Sequence, residues 1–263
     1  MKKRILLSVV FADEEDLSNE LSKFKTIQLD DFYIDFRLIV NIHKLSDAAS
    51  KFILQNKIDC IKLEDSFDVG KTHKIIFEYS KKENYNFVIV ADIIQYEYLI
   101  THLNELVLPL NEQIAYLTAG DTYQSQVGLI KFIQKKVFKK QLNLFPKICI
   151  YNTKYLSKIP YLYNSDDASF INEIAIQIVL SDFRFMEINS DIKTKVAFDE
   201  KWQTLKVFFS AYVHSLGIFY QNKFDIIQDN LQYSLKLGYA SSHTYAINAV
   251  PPDSRVIDIG AGS

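Results

Sequence analysis

Asp92 and Gln95 follow the apolar run Phe87-Val-Ile-Val-Ala, so a carboxylate and an amide stand just past a buried strand, where open α/β sheets bind ligands. Such a carboxylate can serve a ligand or cap the helix that follows, and the residues alone leave both readings open. Glu14 and Glu15 come after another apolar run, Arg4 to Phe11, either as ligand groups or as first-turn carboxylates that favour a helix dipole. Gly70 lies in Asp68-Val-Gly-Lys-Thr, which lacks the preceding glycine of a phosphate-binding loop and reads as a turn that starts a helix. The histidines at 43, 73, 102, 214 and 243 have no metal-ligand spacing, and no cysteine and histidine arrangement suggests a nucleophile. Near the end, Val256-Ile-Asp-Ile-Gly-Ala-Gly reads as a strand entering a glycine turn.

The elements that must position these groups alternate. Strands are predicted at Arg4–Phe11, Phe36–Ile42, Asp59–Leu63, Phe87–Ala91 and Gln113–Leu117. Between them fall helices at Asp13–Phe24, from Ser46 with Ala49, Phe52 and Ile53 inward, at Lys71–Lys82, and from Tyr96 with Leu99, Leu103 and Leu106 on one face. Short connections between alternating strands and helices predict an α/β fold with a mostly parallel sheet covered on both faces. The regularity then breaks. A polar loop at Gly120–Gly128 and a mixed helix at Leu129–Phe138 precede a strand at Lys147–Tyr151. The polar turn Asn164–Ser169 carries Asp and Ser residues able to cap a helix at Phe170–Leu180, and Arg184–Ile188 is a further strand. Lys201–Tyr220 is a long aromatic helix, and Tyr233–Ser242 is linker-like.

A chain of 263 residues, 48% of them apolar, can bury a sizeable core. The net charge of -2, with lysines and carboxylates interspersed, shows no nucleic-acid footprint. Lys135, Lys136, Lys139 and Lys140 read as a solvated helix face, with a phosphate or anionic-lipid contact as the alternative. Cys60 and Cys149 sit in apolar runs, as buried free thiols in a reducing compartment do. The opening Met-Lys-Lys-Arg reaches acidic residues too soon for a signal peptide, and no apolar run has the roughly 20 residues needed to span a bilayer.

Three local sequences carry a resemblance. Asp68-Val-Gly-Lys-Thr through Gln95 is similar to a region of the family 2 glycosyltransferases of the polyprenyl-phosphate-sugar synthase type. There an Asn-x-Gly-Lys-Gly turn leads through a helix to a strand ending in Asp-x-Asp-Gly-Gln. Asn164-Ser-Asp-Asp to Gln177, with Phe170, Glu173 and Ile174, resembles the helix approaching the acceptor side in that family. Leu235 to Thr244, Val250-Pro-Pro and Val256 to Gly262 resemble the junction at which bacterial chains fuse such a transferase to a class I S-adenosylmethionine-dependent methyltransferase.

The resemblance implies a GT-A-like, Rossmann-like fold. It implies a transferase domain over residues 1–195, a helical extension over 196–232, and a linker with the start of a methyltransferase-like domain over 233–263. It places Glu173 as candidate general base, Glu14, Asn41, Gly70 and Gln95 at the substrate, and Asp92 at a Mg or Mn ion. Asp258, Gly260 and Gly262 correspond to methyltransferase cofactor-binding positions. The rest of that sheet is not in the sequence, so S-adenosylmethionine binding is not expected of this chain alone.

The departures fall on charged positions. The family's nucleoside-binding Asp-Asp-Gly-Ser turn reads Asn41-Ile-His-Lys here, which leaves an acceptor amide without charge and then an isoleucine. The main metal-binding Asp falls on Ile93, with Asp92 displaced by one position. Losing an oxygen ligand weakens a hard-cation site.

Two functions of different class follow. One is sugar transfer from a nucleotide-sugar to a polyprenyl phosphate or other acceptor, with an impaired donor site. The alternative is a catalytically inactive binding or assembly module, and a fragment of a bifunctional transferase and methyltransferase is compatible with either. The free thiols predict a cytoplasmic chain. Val207, Phe208, Ala211, Tyr212, Leu216 and Phe219 form an apolar stripe that most simply packs on the sheet, with peripheral contact at the inner face of a membrane as the second reading.

Overall fold

The structure is a computed structural model that describes residues 2–11, 32–41, 46–64, 68–92, 96–120, 148–189 and 198–226, with isolated positions at 132, 134–135, 142, 146 and 248–251. The chain divides into a unit spanning Met1–Ile226 and a second spanning Ile227–Ser263. The expected segments Asp13–Phe24, Tyr233–Ser242 and Arg255–Ser263 lie outside the described residues, as does most of Leu129–Phe138.

Seven described strands form one sheet in the order β3-β2-β1-β4-β6-β5-β7. They are β1 (Lys3–Phe11), β2 (Phe32–Asn41), β3 (Cys60–Leu63), β4 (Phe87–Asp92), β5 (Ile114–Gly120), β6 (Ile148–Asn152) and β7 (Arg184–Asn189). Every pairing is parallel except the two that β6 makes with β4 and β5. β1 and β4 are buried on both faces, so their side chains feed two cores by simple alternation. Leu6, Val88 and Val90 point to one face; Ile5, Leu7, Val9 and Ile89 point to the other.

Helices α1 (Asp47–Gln55) and α3 (Tyr96–Val107) cover the second face through Ile53, Leu99, Leu103 and Leu106. Helices α2 (Val69–Lys82), α5 (Ser169–Leu180) and α6 (Phe198–Ser215) cover the first through Ile76, Phe77, Ile174, Ile176 and Phe208. Between them, α4 (Thr153–Leu156) is a single turn capped by the Asn152 side chain, which accepts from Lys154 N at 3.1 Å. α5 is buried nearly all round because it lies against the sheet, α2 and α6 at once. Its N-cap residue is Ala168, which makes no side-chain cap; Asp167, one residue earlier, accepts from Ser169 N through Oδ1 at 2.8 Å.

Several expectations are corrected. β2 begins at Phe32 rather than Phe36, since Phe32 and Ile34 also pack into the second core. Asp92 closes β4 opposite Val10 of β1 instead of lying in the loop beyond. Cys149 is buried, but Cys60 is only partly so because β3 is an edge strand; both are free thiols, and burial pushes each up to about 11.

The aromatic helix stops at Ser215. Gly217, with φ of 71°, reverses the chain while Gly217 N bonds His214 O at 2.9 Å and Ile218 N bonds Val213 O at 3.2 Å, a glycine-terminated C-cap. The apolar stripe is thereby divided: Val207, Phe208 and Ala211 are core, whereas Leu216 is 52% and Phe219 67% exposed. No helix among the described residues is long and apolar enough to cross a membrane.

Candidate functional site

The chain runs from β1 to β2 and β3 on one side of β1, while β4 and the later strands lie on the other. The carboxyl ends of β1 and β4 therefore flank the point where strand order reverses, the crevice in which open α/β sheets take ligands. Register places Val10 opposite both Ile39 and Asp92, so Asn41, the last residue of β2, and Asp92, the last of β4, reach the same edge on either side of β1. Asn41 is buried there. For Asp92 the structure describes the backbone; Glu14, Ile42, Ile93 and Gln95 lie outside the described residues, as do Asp258, Gly260 and Gly262. Among the described residues no three His, Cys, Asp or Glu side chains converge. Mg and Mn ions are commonly held by one or two carboxylates plus substrate phosphates, so a single carboxylate at this edge does not by its number exclude such an ion.

A second group of residues assembles where α2 begins. α2 follows β3, so its first turn stands at the same edge of the sheet. Asp68, the residue before it, makes no side-chain cap. Instead Gly70 N and Lys71 N donate to the Asp166 carbonyl at 2.6 and 3.2 Å, and orphan donors of the first turn are met by a distant piece of chain. The approach requires a glycine, because a Cβ on Gly70 would collide with the Ser165 carbonyl oxygen. One turn further on, Lys74 Nζ donates to Asn164 O at 2.5 Å and to Asp166 Oδ1 at 2.7 Å.

Behind this turn stands Glu173. It is fully buried. Its carboxylate accepts from Ser165 N at 2.7 Å, from Ser165 Oγ at 2.8 Å and from Lys223 Nζ at 2.6 Å. A buried carboxylate persists only when paired and hydrogen-bonded in this way. Gln177, one turn along α5, exchanges amide bonds with Asn164: Gln177 Nε2 donates to Asn164 Oδ1 at 2.6 Å, and Asn164 Nδ2 donates back to Gln177 Oε1 at 3.2 Å. Gln177 Nε2 also donates to Lys223 O at 2.6 Å. His73 lies beneath, enclosed by Phe77, Tyr151 and Phe170. Burial lowers its pKa to about 4, and its Nδ1 donates to Val69 O at 2.7 Å as the neutral ring.

Of the predicted site residues, then, the structure brings Asn41 and the Asp92 backbone to one sheet edge on either side of β1, and joins Gly70 and Glu173 through the 164–167 turn. Sequence reading passed over Lys74 and Lys223. Lys74 is the next residue on the Gly70 face of α2 and could have been found by helical spacing. Nothing local marks Lys223, which meets Glu173 only through the tertiary fold.

No protein-family model matches the chain, and no curated protein matches its sequence. Solved structures do. Glucosyl-3-phosphoglycerate synthase from Mycobacterium tuberculosis superposes with a TM-score of 0.52 at 10% identity, over 82% of this chain and 82% of that one. The same synthase in complex with uridine diphosphate gives 0.51 at 10% identity, over 82% and 81%. Its complex with Mn2+, uridine diphosphate and phosphoglyceric acid gives 0.51 at 11% identity, over 81% and 78%. This chain has the fold of the GT-A glycosyltransferases, a mostly parallel α/β sheet with helices on both faces.

Proposed function

We propose that the chain is a glycosyltransferase-like protein that takes a nucleotide-sugar at the carboxyl ends of β1, β2 and β4 and transfers the sugar to a lipid-phosphate or other acceptor, with a weakened donor site. The observation that supports this reading is that the backbones of Asn41 and Asp92 end their strands at the same sheet edge on either side of β1, next to the strand-order reversal between β1 and β4. In the reaction, an acceptor oxygen forms a bond to the anomeric carbon as the bond from that carbon to the diphosphate oxygen breaks. The diphosphate leaves with the electron pair, and the acceptor's proton, if it carries one, passes to a base. Asn41 offers an uncharged acceptor to the nucleoside. Asp92 would hold a divalent ion, which supplies charge to offset that of the leaving diphosphate. The wall formed by Gly70, Ser165 and Glu173 bounds the acceptor side.

A second reading, an inactive binding or assembly module, is favoured by Glu173 itself. Its carboxylate is occupied by Ser165 and Lys223, so service as a base requires this turn to open. Residues 233–263 leave the third reading, part of a bifunctional transferase and methyltransferase, compatible with both.

An acceptor in a bilayer would suit one further surface. Leu216, Ile218, Phe219 and Tyr220 are all more than half exposed, as are Leu162 and Tyr163 on the 3-10 turn (Tyr161–Tyr163) packed against Asn222–Phe224. This apolar surface supports peripheral membrane contact, and sedimentation with polyprenyl-phosphate vesicles tests it.

The deciding experiment for the donor site is calorimetric titration with uridine and guanosine diphosphates, with and without manganese, on the chain and on Asp92→Ala. Metal-dependent binding abolished by Asp92→Ala is the expected result. Heat absent under every condition overturns the donor-site reading and leaves the binding module.

A further inference from the structure

Three pieces of chain far apart in sequence are joined around Glu173: the first turn of α2, the 164–167 turn, and the 3-10 turn Asn222–Phe224 just before the first unit ends at Ile226. Asp166 O receives the Gly70 and Lys71 amides, and Lys74 grips Asn164 O and Asp166 Oδ1. Ser165 gives both its amide and its hydroxyl to Glu173, which also takes Lys223 Nζ. Gln177 closes the ring by bonding Asn164 Oδ1 and Lys223 O through one amide nitrogen. Phe224, buried beside Lys223, packs into the same core as Phe170 and Ile174. Asn164, Glu173 and Gln177 are buried; Asn164 and Gln177 bond each other, and Glu173 and Gln177 both bond Lys223, through Nζ and through the carbonyl. A satisfied network of this kind in a low-dielectric interior holds or opens as one, because a half-open state strands a buried charge.

We propose that these residues form a single mechanical element that ties the acceptor-side wall to the point where the chain leaves the first unit, with Lys223 as its positioning residue. A ligand that draws the 164–167 turn away from Gly70 releases Glu173 from Ser165 and, through Glu173 and Gln177, loosens Lys223 and the exit. Opening therefore exposes Glu173 and frees residues 222–226 in the same step. The inference rests on the hydrogen bonds within the first unit. It is measured without nucleotide, so its failure leaves the donor-site reading intact.

Native-state hydrogen exchange on the full chain tests it. In low urea the amides of Gly70, Ser165 and Phe224 are expected to share one opening free energy and one urea slope, below those of Val88 and Ile150 in β4 and β6. Lys223→Met is expected to speed Gly70 exchange about a hundredfold or more, Ser165→Ala to speed Phe224 exchange about tenfold, and Lys223→Arg to restore most of the protection. Separate slopes for the three amides in the unmodified chain overturn the proposal, even if every variant fails to fold. So does acceleration confined to the neighbours of each substituted residue.

Discussion

Gly70 and Ser165 touch backbone to backbone: a Cβ built on Gly70 would meet the Ser165 carbonyl oxygen head-on and come within 2.8 Å of the Asp166 carbonyl carbon. Neither obstacle is a flexible side-chain end, so Gly70→Ala must move α2 or the turn. The expected cost is about 1–3 kcal/mol, the usual range for forcing an extra carbon into a packed site. A urea unfolding midpoint equal to that of the unmodified chain would show that the contact is looser than this.

Removing one member of the Glu173–Lys223 pair leaves an uncompensated charge beside a buried α5. Glu173→Ala and Lys223→Met are each expected to destabilise by about 3–5 kcal/mol, while replacing both residues by methionine recovers much of that loss. The double-mutant cycle reads the coupling. Single losses below about 1 kcal/mol that simply add are the signature of an exposed surface pair and count against the arrangement.

His73 predicts a pH dependence. Its folded pKa of about 4 lies below the 6.5 of an unperturbed histidine, so between those values the unfolded chain binds a proton that the folded chain does not. The contribution of neutral His73 is intact above pH 6.5, declines as pH falls, and is exhausted near 4, for a total of about 3 kcal/mol. His73→Phe keeps a ring among Phe77, Tyr151 and Phe170 and removes the titration. Unfolding midpoints between pH 7.5 and 4.5 are expected to fall less steeply in that variant by about this amount. Parallel curves for the two proteins would assign the acid sensitivity elsewhere.

Ile93→Asp tests the metal reading by gain of function. A second carboxylate beside Asp92 adds the oxygen ligand that the sequence lacks and is expected to tighten manganese-dependent uridine diphosphate binding about tenfold, leaving metal-free binding unchanged. If both conditions change alike, the new carboxylate acts on the nucleotide or the fold and not through an ion.

Much of this architecture was legible because it rests on local pattern. Phe87 to Ala91 is an unbroken apolar run that only a strand buried on both faces requires, and Leu99, Leu103 and Leu106 repeat at the helical period. The reversed direction of β6 was not legible. Ile148 to Asn152 is buried throughout, and a fully buried strand has the same composition whichever way it runs. The end of α6 was missed because the apolar stripe continues past Ser215, while the reversal depends on Gly217 adopting a positive φ. Asn41 and Gly70 could be singled out by resemblance, but the reason for Gly70 is a carbonyl supplied by residue 165. Glu173 was visible as a carboxylate and invisible as an ion pair, since its partner lies 50 positions away.

Among the described residues β6 is the strand that runs antiparallel to its neighbours, and this has a consequence for how this edge of the molecule can change. β5 ends at Gly120 on the same edge as Asn41 and Asp92, and β6, running the other way, starts from that edge at Ile148. The carboxyl end of β5 and the amino end of β6 therefore lie together at the edge where a ligand would sit. Lengthening or shortening the connection between them shifts no strand register and costs little closure entropy. A graft of a different connection between Gly120 and Ile148 leaves the pairing of β5 with β6 in place and tests whether this edge of the sheet governs binding.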